Sequence, residues 1–445
     1  MYIRKLKKEM TECRIIQVQK FLKNTKPIKT KVAYDQLIKQ HIQLQQESGI
    51  INLYLNVTNK CNFNCYFCSQ DCNTKGNSLS ISDAKQILNI VHKLGFVNVY
   101  YTGGEPLLNN DIYEIVKYGY SLGFNQCLIT NGFLINNNQN IIKYIDKFGI
   151  SLHGDRTTYE KIVGKDNVYD KIIDNIRLLK KQNKYVEINY TLCDINFNYQ
   201  QLEQVANFCK QEGIKMSVAR INYLGKASNI KTQDVDNLCS YIDTLNNNGF
   251  KIKISNCVAS CLVRDKFQYL CHGCGAAIST ISIDCFGNVS ICASSKKVEG
   301  NVFYNNLKLI LKKIKLNEIK RIKALPQCCK ICKNLVSCKG GCKIECNNGF
   351  SCDYLLNDDY NVFCKNIINK YIILNTNKLL VRHDKVVLPY PLRLISKKYL
   401  DFLIKLNGMN KMGKIMSQYN NKEELFQLLY CLYKDNYLII KDDHK

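Results

Sequence analysis

The sequence predicts an α/β fold: a parallel sheet of successive strand and helix units, arranged as an incomplete (β/α)6 barrel or an open sheet. A cysteine-rich extension and a small mixed C-terminal domain follow. Three observations predict this. From Ile51 onward, six apolar strand-like runs alternate with helical stretches. Right-handed strand–helix–strand crossovers then make the pairing parallel. The chemically suggestive residue clusters fall just past the C-terminal ends of four of these runs, where barrels and open α/β sheets hold their active sites.

Residues 1–49 form a basic extension (Arg4, Lys5, Lys7, Lys8, then Lys20, Lys23, Lys26, Lys29 and Lys31) without the apolar core of a signal peptide. Its expected role is no more than a cap on the next domain. The first strand, Ile51–Val57, leads into Cys61, Cys65 and Cys68. The second, Val97–Tyr101, leads into Gly103-Gly104-Glu105-Pro106, and the third, Asn125–Thr130, into Thr130-Asn131-Gly132. The fourth, Gly149–Leu152, carries Ser151-Leu152-His153-Gly154, and Tyr185–Thr191 and Ile214–Ile221 complete the six. Residues 50–255 are expected to form this core, residues 256–370 the cysteine-rich extension and residues 371–445 the terminal domain. In the last, strand-like Lys378–Arg382 and Lys385–Leu388 precede helices near Lys397–Leu406, Met412–Tyr419 and Lys422–Lys434, with Tyr437–Ile440 closing it.

A chain of 445 residues exceeds what one hydrophobic core sustains, so two to four domains are expected. No apolar run reaches the roughly eighteen residues of a membrane span, and a cytoplasmic protein is expected. In a reducing compartment its 24 cysteines point to metal or redox chemistry. Cys13, Cys127, Cys193, Cys209, Cys239 and Cys431 lie singly in apolar or amphipathic segments and read as small buried hydrophobes. The net charge of +26 follows a general richness in Lys, Asn and Ile, so neither a nucleic-acid nor a membrane partner is expected from it.

The run Cys61-Asn-Phe-Asn-Cys65-Tyr-Phe-Cys68 places three soft thiolates at C-x3-C-x2-C spacing, enough for three irons of a [4Fe–4S] cluster. Cys72 extends the run to four, so a structural zinc site is the competing reading. With the Gly-Gly-Glu-Pro run, the pattern resembles the radical S-adenosylmethionine (SAM) superfamily over roughly Ile50 to Leu224. The resemblance implies that the fourth iron binds SAM and that reductive cleavage yields a 5′-deoxyadenosyl radical. It further implies that Gly103, Gly104, Glu105 and Ser151 contact SAM. His153 stands where such proteins commonly have aspartate, and it is a candidate for proton transfer beside a structural alternative.

The second cysteine field can be written C-x12-G-x4-C, a long gap, C-x2-C-x5-C-x3-C and a last distant cysteine. It resembles the SPASM extension of radical SAM proteins, which implies two auxiliary [4Fe–4S] clusters. On that resemblance Cys271, Cys274, Cys292 and Cys342 hold the first, and Cys329, Cys332, Cys338 and Cys364 the second. Cys257 or Cys261 could replace Cys271, and Cys346 or Cys352 could replace Cys364, while Cys285 and Cys328 fall beside the pattern. A zinc ribbon over Cys329 to Cys342 is the bland alternative. Anaerobic sulfatase maturases place an aspartate directly after the cysteine of the G-x4-C element; Ala293 stands there and argues against that activity.

The terminal domain is similar to the small winged-helix, PqqD-like domain that binds leader peptides of ribosomally made, modified (RiPP) peptides, on Leu406-Asn-Gly408, Glu423-Glu424-Leu425 and Asn436-Tyr-Leu-Ile. These resemblances imply a radical SAM oxidoreductase that binds a precursor through its leader and forms a thioether or a carbon–carbon crosslink. An external donor such as a flavodoxin or ferredoxin would supply electrons. The alternatives are a maturase of a protein side chain or cofactor precursor, and a non-enzymatic zinc-bound nucleic-acid or scaffold protein.

Overall fold

The computed structural model describes residues 51–70, 72–197, 199–221, 226, 235–325, 329, 334–344, 365–374, 380–382, 385–389, 392–396, 399–434 and 438–441. The basic extension over 1–49 and Cys332, Cys346, Cys352 and Cys364 lie outside them.

The six predicted strands are present as β1 (Asn52–Thr58), β2 (Asn98–Gly103), β3 (Asn125–Thr130), β4 (Lys147–Ser151), β5 (Tyr185–Leu192) and β6 (Lys215–Arg220). They pair in parallel and in chain order. Four strands lie outside the expected six. The short β7 (Ile252–Ile254) continues the sheet beyond β6, and β8 (Thr280–Ile283) pairs in parallel with the other side of β1. Antiparallel β9 (Asn288–Ser290) and β10 (Gly300–Asn301) complete a 10-stranded sheet. With three residues, β7 is too short for period-two alternation to signal it.

Helices α1 (Ile81–Lys93), α2 (Ile112–Ser121), α3 (Arg156–Val163), α4 (Tyr169–Lys181), α5 (Tyr199–Gln211) and α6 (Val235–Asn247) connect the strands, with a 3-10 segment at Asn136–Tyr144 between β3 and β4. Two of the starts have a side-chain cap. Ser80 caps α1 by accepting from the Asp83 amide at 3.1 Å, and Asp155 caps α3 by accepting from the Thr158 amide at 2.9 Å. Gly164, at φ +62, ends α3 in the left-handed conformation that glycine tolerates.

Successive strand side chains point to opposite faces. On β1, Leu53, Leu55 and Val57 are fully buried and join Ile87, Leu88 and Val91 of α1 in the main core. The opposite face carries Tyr54, Asn56, Tyr100, Lys147, Glu187 and Asn189, all of which line one of two cavities. Apolar contact with the helices holds the sheet, and the inner face is left polar.

Beyond the sheet lie α7 (Leu307–Ala324) and α8 (Leu335–Cys338). The C-terminal residues form β11 (Tyr371–Leu374), β12 (Leu380–Arg382), β13 (Lys385–Pro389), β14 (Leu392–Ser396), α9 (Leu400–Ile404), β15 (Asn407–Lys411), α10 (Met412–Met416), α11 (Lys422–Lys434) and β16 (Leu438–Lys441). Two antiparallel three-stranded sheets result, β15-β11-β16 and β12-β13-β14. A second core gathers Ile372, Phe402, Leu403, Leu428 and Leu429. The three helices fall where periodicity places them. Strand β15 begins within the Leu406-Asn-Gly408 run, and Gly408 inside it has φ +79. Among the described residues no helix is long and apolar enough to cross a membrane.

Candidate active site

The loop after β1 is tied down from three sides. The Thr58 hydroxyl donates to the Asn77 carbonyl at 2.8 Å, and the Cys61 amide donates to the Asn73 carbonyl at 2.7 Å. Helix α3 receives two further amides of the loop: Asn64 donates to Val163 O at 3.0 Å and Tyr66 to Ile162 O at 2.8 Å. These bonds flank Cys65. The Lys226 amide donates to the Cys68 carbonyl at 3.1 Å. Cys61, Cys65, Cys68 and Cys72 all line one cleft of about 360 Å³ at the C-terminal ends of the strands.

Burial pushes the Cys61 thiol up to about 11, and burial together with the neighbouring Cys61 and Cys68 pushes Cys65 up to about 12. Crowded thiols that hinder one another's ionisation need a cation to become thiolates, which a bound metal centre supplies. Asn56 Oδ1 and Tyr159 Oη, both on residues lining the cleft, are buried without a hydrogen-bond partner. The donor set and these polar atoms fit an iron–sulfur cluster with a polar ligand beside it.

Gly103 and Gly104 line the same cleft, and the glycine requirement has a cause within the protein. A Cβ on Gly103, at φ +136, would stand 2.1 Å from the Thr58 carbonyl oxygen, and one on Gly104 would stand 2.0 Å from that of Lys60. The amides of Gly104 and Glu105 donate to those two oxygens at 2.8 and 2.7 Å. The glycine run therefore clamps the end of β2 onto the residues leading into Cys61. The Glu105 carboxylate is fully buried and accepts from the Thr130 hydroxyl (2.7 Å), the Asn131 amide (2.8 Å) and the Leu107 amide (3.1 Å). Burial pushes it up to about 7 against the pull of those donors. Its side chain is committed to β3. From there Asn131 Nδ2 donates to Asn62 Oδ1 at 2.8 Å and returns to the cysteine loop.

Ser151 and His153 reach the cleft from the end of β4. His153 is 3% exposed, and burial lowers its pKa to about 3. Its Nδ1 accepts from the Thr191 amide at 3.1 Å, so Nε2 carries the proton. Phe67 meets its ring edge-on at 5.0 Å, and Tyr159 stacks on it at 5.9 Å. Near neutral pH His153 is an uncharged donor through Nε2.

A second cavity, about 550 Å³, lies on the inner face of the sheet and shares Ile129 with the first. Glu187, its side chain 6% exposed, pairs with Lys147 at 2.9 Å and Lys253 at 3.0 Å. Tyr54 and Tyr100 stack at 4.6 Å on the same wall.

In the extension, the Cys257 thiol is hydrogen-bonded to those of Cys274 and Cys342, and Cys292 packs beside them. Cys271 is not in this group. Its thiol meets Cys239, and it lines the second cavity. Extended backbone at Cys271 (φ −85, ψ 143), which ends the 3-10 segment Asp265–Leu270, separates it from Cys274, so the C-x2-C spacing does not bring the two thiols together. The bond from Cys257 and the charge of Lys343 lower Cys274 to about 5. Cys338 interacts electrostatically with Cys329, and Cys329 and Cys261 both pack against the C-terminal core. Among the described residues no three His, Cys, Asp or Glu side chains converge as on a single metal ion. A four-iron cube, held by four cysteines, does not demand such convergence.

Asn56 and Tyr159 are cleft residues that sequence reasoning did not single out. Asn56 was accessible through the alternation of β1, whereas no motif marks Tyr159.

The Radical SAM superfamily profile matches residues 55–209. A probable GTP 3′,8-cyclase of Saccharolobus solfataricus is 36% identical over 131 residues, 28% of this chain and 42% of that protein. One of Sulfurisphaera tokodaii is 28% identical over 172 residues, 37% of this chain and 54% of that protein. The chain thus spans about half the length of the curated relatives it matches. Among solved structures, Streptococcus suis SuiB bound to S-adenosylmethionine superposes with a TM-score of 0.56 at 20% identity, over 75% of this chain and 83% of that one. Native anSMEcpe with bound AdoMet and Cp18Cys peptide gives 0.53 at 17% identity, over 71% and 97%. These likenesses establish the shared fold, and residues 55–209 match the radical SAM superfamily, whose members use a [4Fe–4S] cluster and S-adenosylmethionine.

Proposed function

We propose that this chain is a radical SAM peptide maturase that modifies a ribosomally made precursor, forming a thioether or a carbon–carbon crosslink. The observation that carries the reading is the meeting of Cys61, Cys65, Cys68, Gly103, Gly104 and Ser151 on one cleft, which adjoins a larger polar cavity in the sheet. Cys61, Cys65 and Cys68 would hold the cluster, and the backbone of Gly103 and Gly104 with Ser151 would receive SAM. Cys257, Cys274, Cys292 and Cys342 would hold a first auxiliary cluster. Cys329 and Cys338, with Cys332 and Cys364 from outside the described residues, would hold a second. Bound there, the cluster and SAM supply the electron and the radical that removes hydrogen from an unactivated C–H bond.

The protein's own groups position and shield. Phe63 and Phe67 line the cleft beside the cysteines and present apolar surface to it. His153 Nε2–H is a fixed donor on the same wall. The terminal domain, residues 371–445, would hold the leader by adding it as a strand to the edge of its sheet, which raises the local concentration of the core peptide. SuiB bound to precursor peptide SuiA shares the fold at 20% identity and supports a peptide substrate. An external flavodoxin or ferredoxin would reduce the cluster.

A second reading, a maturase of a cofactor precursor, is favoured by the GTP 3′,8-cyclases among the relatives. Anaerobic reconstitution, iron and sulfide counting, and assay for 5′-deoxyadenosine with dithionite and SAM test the assignment. About twelve irons per chain with 5′-deoxyadenosine formed is the expected result. A rise in that product on adding GTP would select the second reading, and bound zinc without SAM cleavage would overturn both.

A further inference from the structure

We propose that the Tyr159 hydroxyl donates a hydrogen bond to the sulfur shell of the cluster held by Cys61, Cys65 and Cys68, and raises its reduction potential. The inference rests on those three cysteines being cluster ligands. Tyr159 lies on α3, whose last turn accepts the amides of Asn64 and Tyr66 on either side of Cys65. One turn earlier in the helix, Tyr159 is held against the same stretch of loop. Its side chain is fully buried and lines the cleft, and its Oη reaches no partner within the protein. A buried polar group without a partner costs about 1–3 kcal/mol. Phenylalanine would fill the same space without that cost, so the hydroxyl calls for an acceptor that occupies the cleft.

The ring cannot turn away to find another. It stacks on His153, itself fixed through Nδ1 by the Thr191 amide, and meets Tyr169 edge-on at 6.0 Å. A phenol, with an ordinary pKa of about 10, keeps its proton near neutral pH. A protonated phenol beside thiolate ligands is a donor. Hydrogen bonds to cluster sulfur stabilise the reduced, more negative state and so raise the potential. Tyr159 is thus a positioning and tuning residue, and SAM remains the reactant.

The test is Tyr159→Phe in the full reconstituted chain, read by an EPR-monitored redox titration and by deuteron ENDOR after exchange into D2O. The expected result is a reduction equilibrium roughly tenfold less favourable, about 59 mV more negative for one electron, with one exchangeable deuteron coupling lost. A fluorotyrosine at position 159, a stronger donor, should shift the potential the opposite way, and it covers the case in which the phenylalanine variant fails to assemble. Unchanged potential and deuteron coupling in an intact variant would overturn the inference. Absence of a four-iron cluster from the wild-type chain would instead overturn the cluster assignment on which it rests, and the inference with it.

Discussion

Replacing Gly104 by alanine separates two roles for the glycine run. If the glycines serve SAM, an added methyl should impede SAM and leave the cluster intact. The structure points elsewhere: the new Cβ would stand 2.0 Å from Lys60 O and 2.6 Å from Lys60 C, both backbone atoms, where real contacts essentially never fall below 3.0 Å. Lys60 must then move by roughly 1 Å, the difference between those figures. The 2.7 Å bond from the Glu105 amide to Lys60 is strained or lost, and Cys61, the next residue, moves as well. Overpacking at about 1–3 kcal/mol and one hydrogen bond at about 0.5–1.5 kcal/mol together give a destabilisation of about 2–4 kcal/mol. Anaerobic reconstitution with iron counting is the assay. The variant should hold about four fewer irons and form no 5′-deoxyadenosine. Gly95→Ala is the control, because its φ of +83 is strained for alanine but its Cβ meets nothing within 4 Å. That variant should lose stability and keep its iron. A Gly104→Ala chain with full iron and weakened SAM binding alone would refute the clamp.

Cys257→Ala should remove about four irons from the auxiliary complement, whereas Cys271→Ala should retain them, as Mössbauer spectroscopy or iron analysis would show. His153 has a folded pKa near 3 against about 6.5 unfolded, so the unfolded chain binds one more proton between those values. Its contribution to stability is complete above about pH 6.5 and is lost at about 1.4 kcal/mol per pH unit as pH falls toward 3; His153→Gln should flatten that slope in urea titrations of the apo chain. Glu187→Ala would leave Lys147 and Lys253 without the carboxylate that both now bind. Since those lysines keep 31% and 57% of their side-chain exposure, the cost should be about 1–3 kcal/mol, below that of a fully buried pair, and high salt should reduce it in thermal unfolding.

The six parallel strands were legible because their apolar faces repeat strictly, as Leu53, Leu55 and Val57 do on β1, and because helices with their own apolar stripes separate most of them. Beside the three-residue β7, three further strands of the large sheet, β8, β9 and β10, were not. They have four, three and two residues, and long-range pairing such as Asn52 with Thr280 supplies what their sequences lack. Local spacing marked Cys61, Cys65 and Cys68 because one loop carries all three. It did not decide between Cys271 and Cys257, because the thiols of Cys257, Cys274 and Cys342 come together from separate segments and Cys257 belongs to no short motif. Tyr159 was invisible for the same reason: its position depends on how α3 docks on the loop.

The same docking explains why the cysteine loop needs so little secondary structure of its own. Its order comes from outside, from the carbonyls of Ile162 and Val163, the Asn73 and Asn77 carbonyls, and the Glu105 amide on Lys60. Glu105 then links the glycine run to Thr130 and Asn131, and Asn131 returns to Asn62. The ends of β1, β2 and β3 are therefore joined by a ring of hydrogen bonds that takes in Lys60 and Asn62, on either side of Cys61, and a buried carboxylate is its hub. A group pushed up to about 7 by burial is a costly hub when ionised, yet both of its oxygens accept bonds, which a neutral amide could match on one side only. Glu105→Gln should accordingly loosen the Asn131 side of the ring and shift the EPR signal of the cluster, without removing an atom that faces the cleft. An unchanged signal would show that the ring does not hold the cysteines in place.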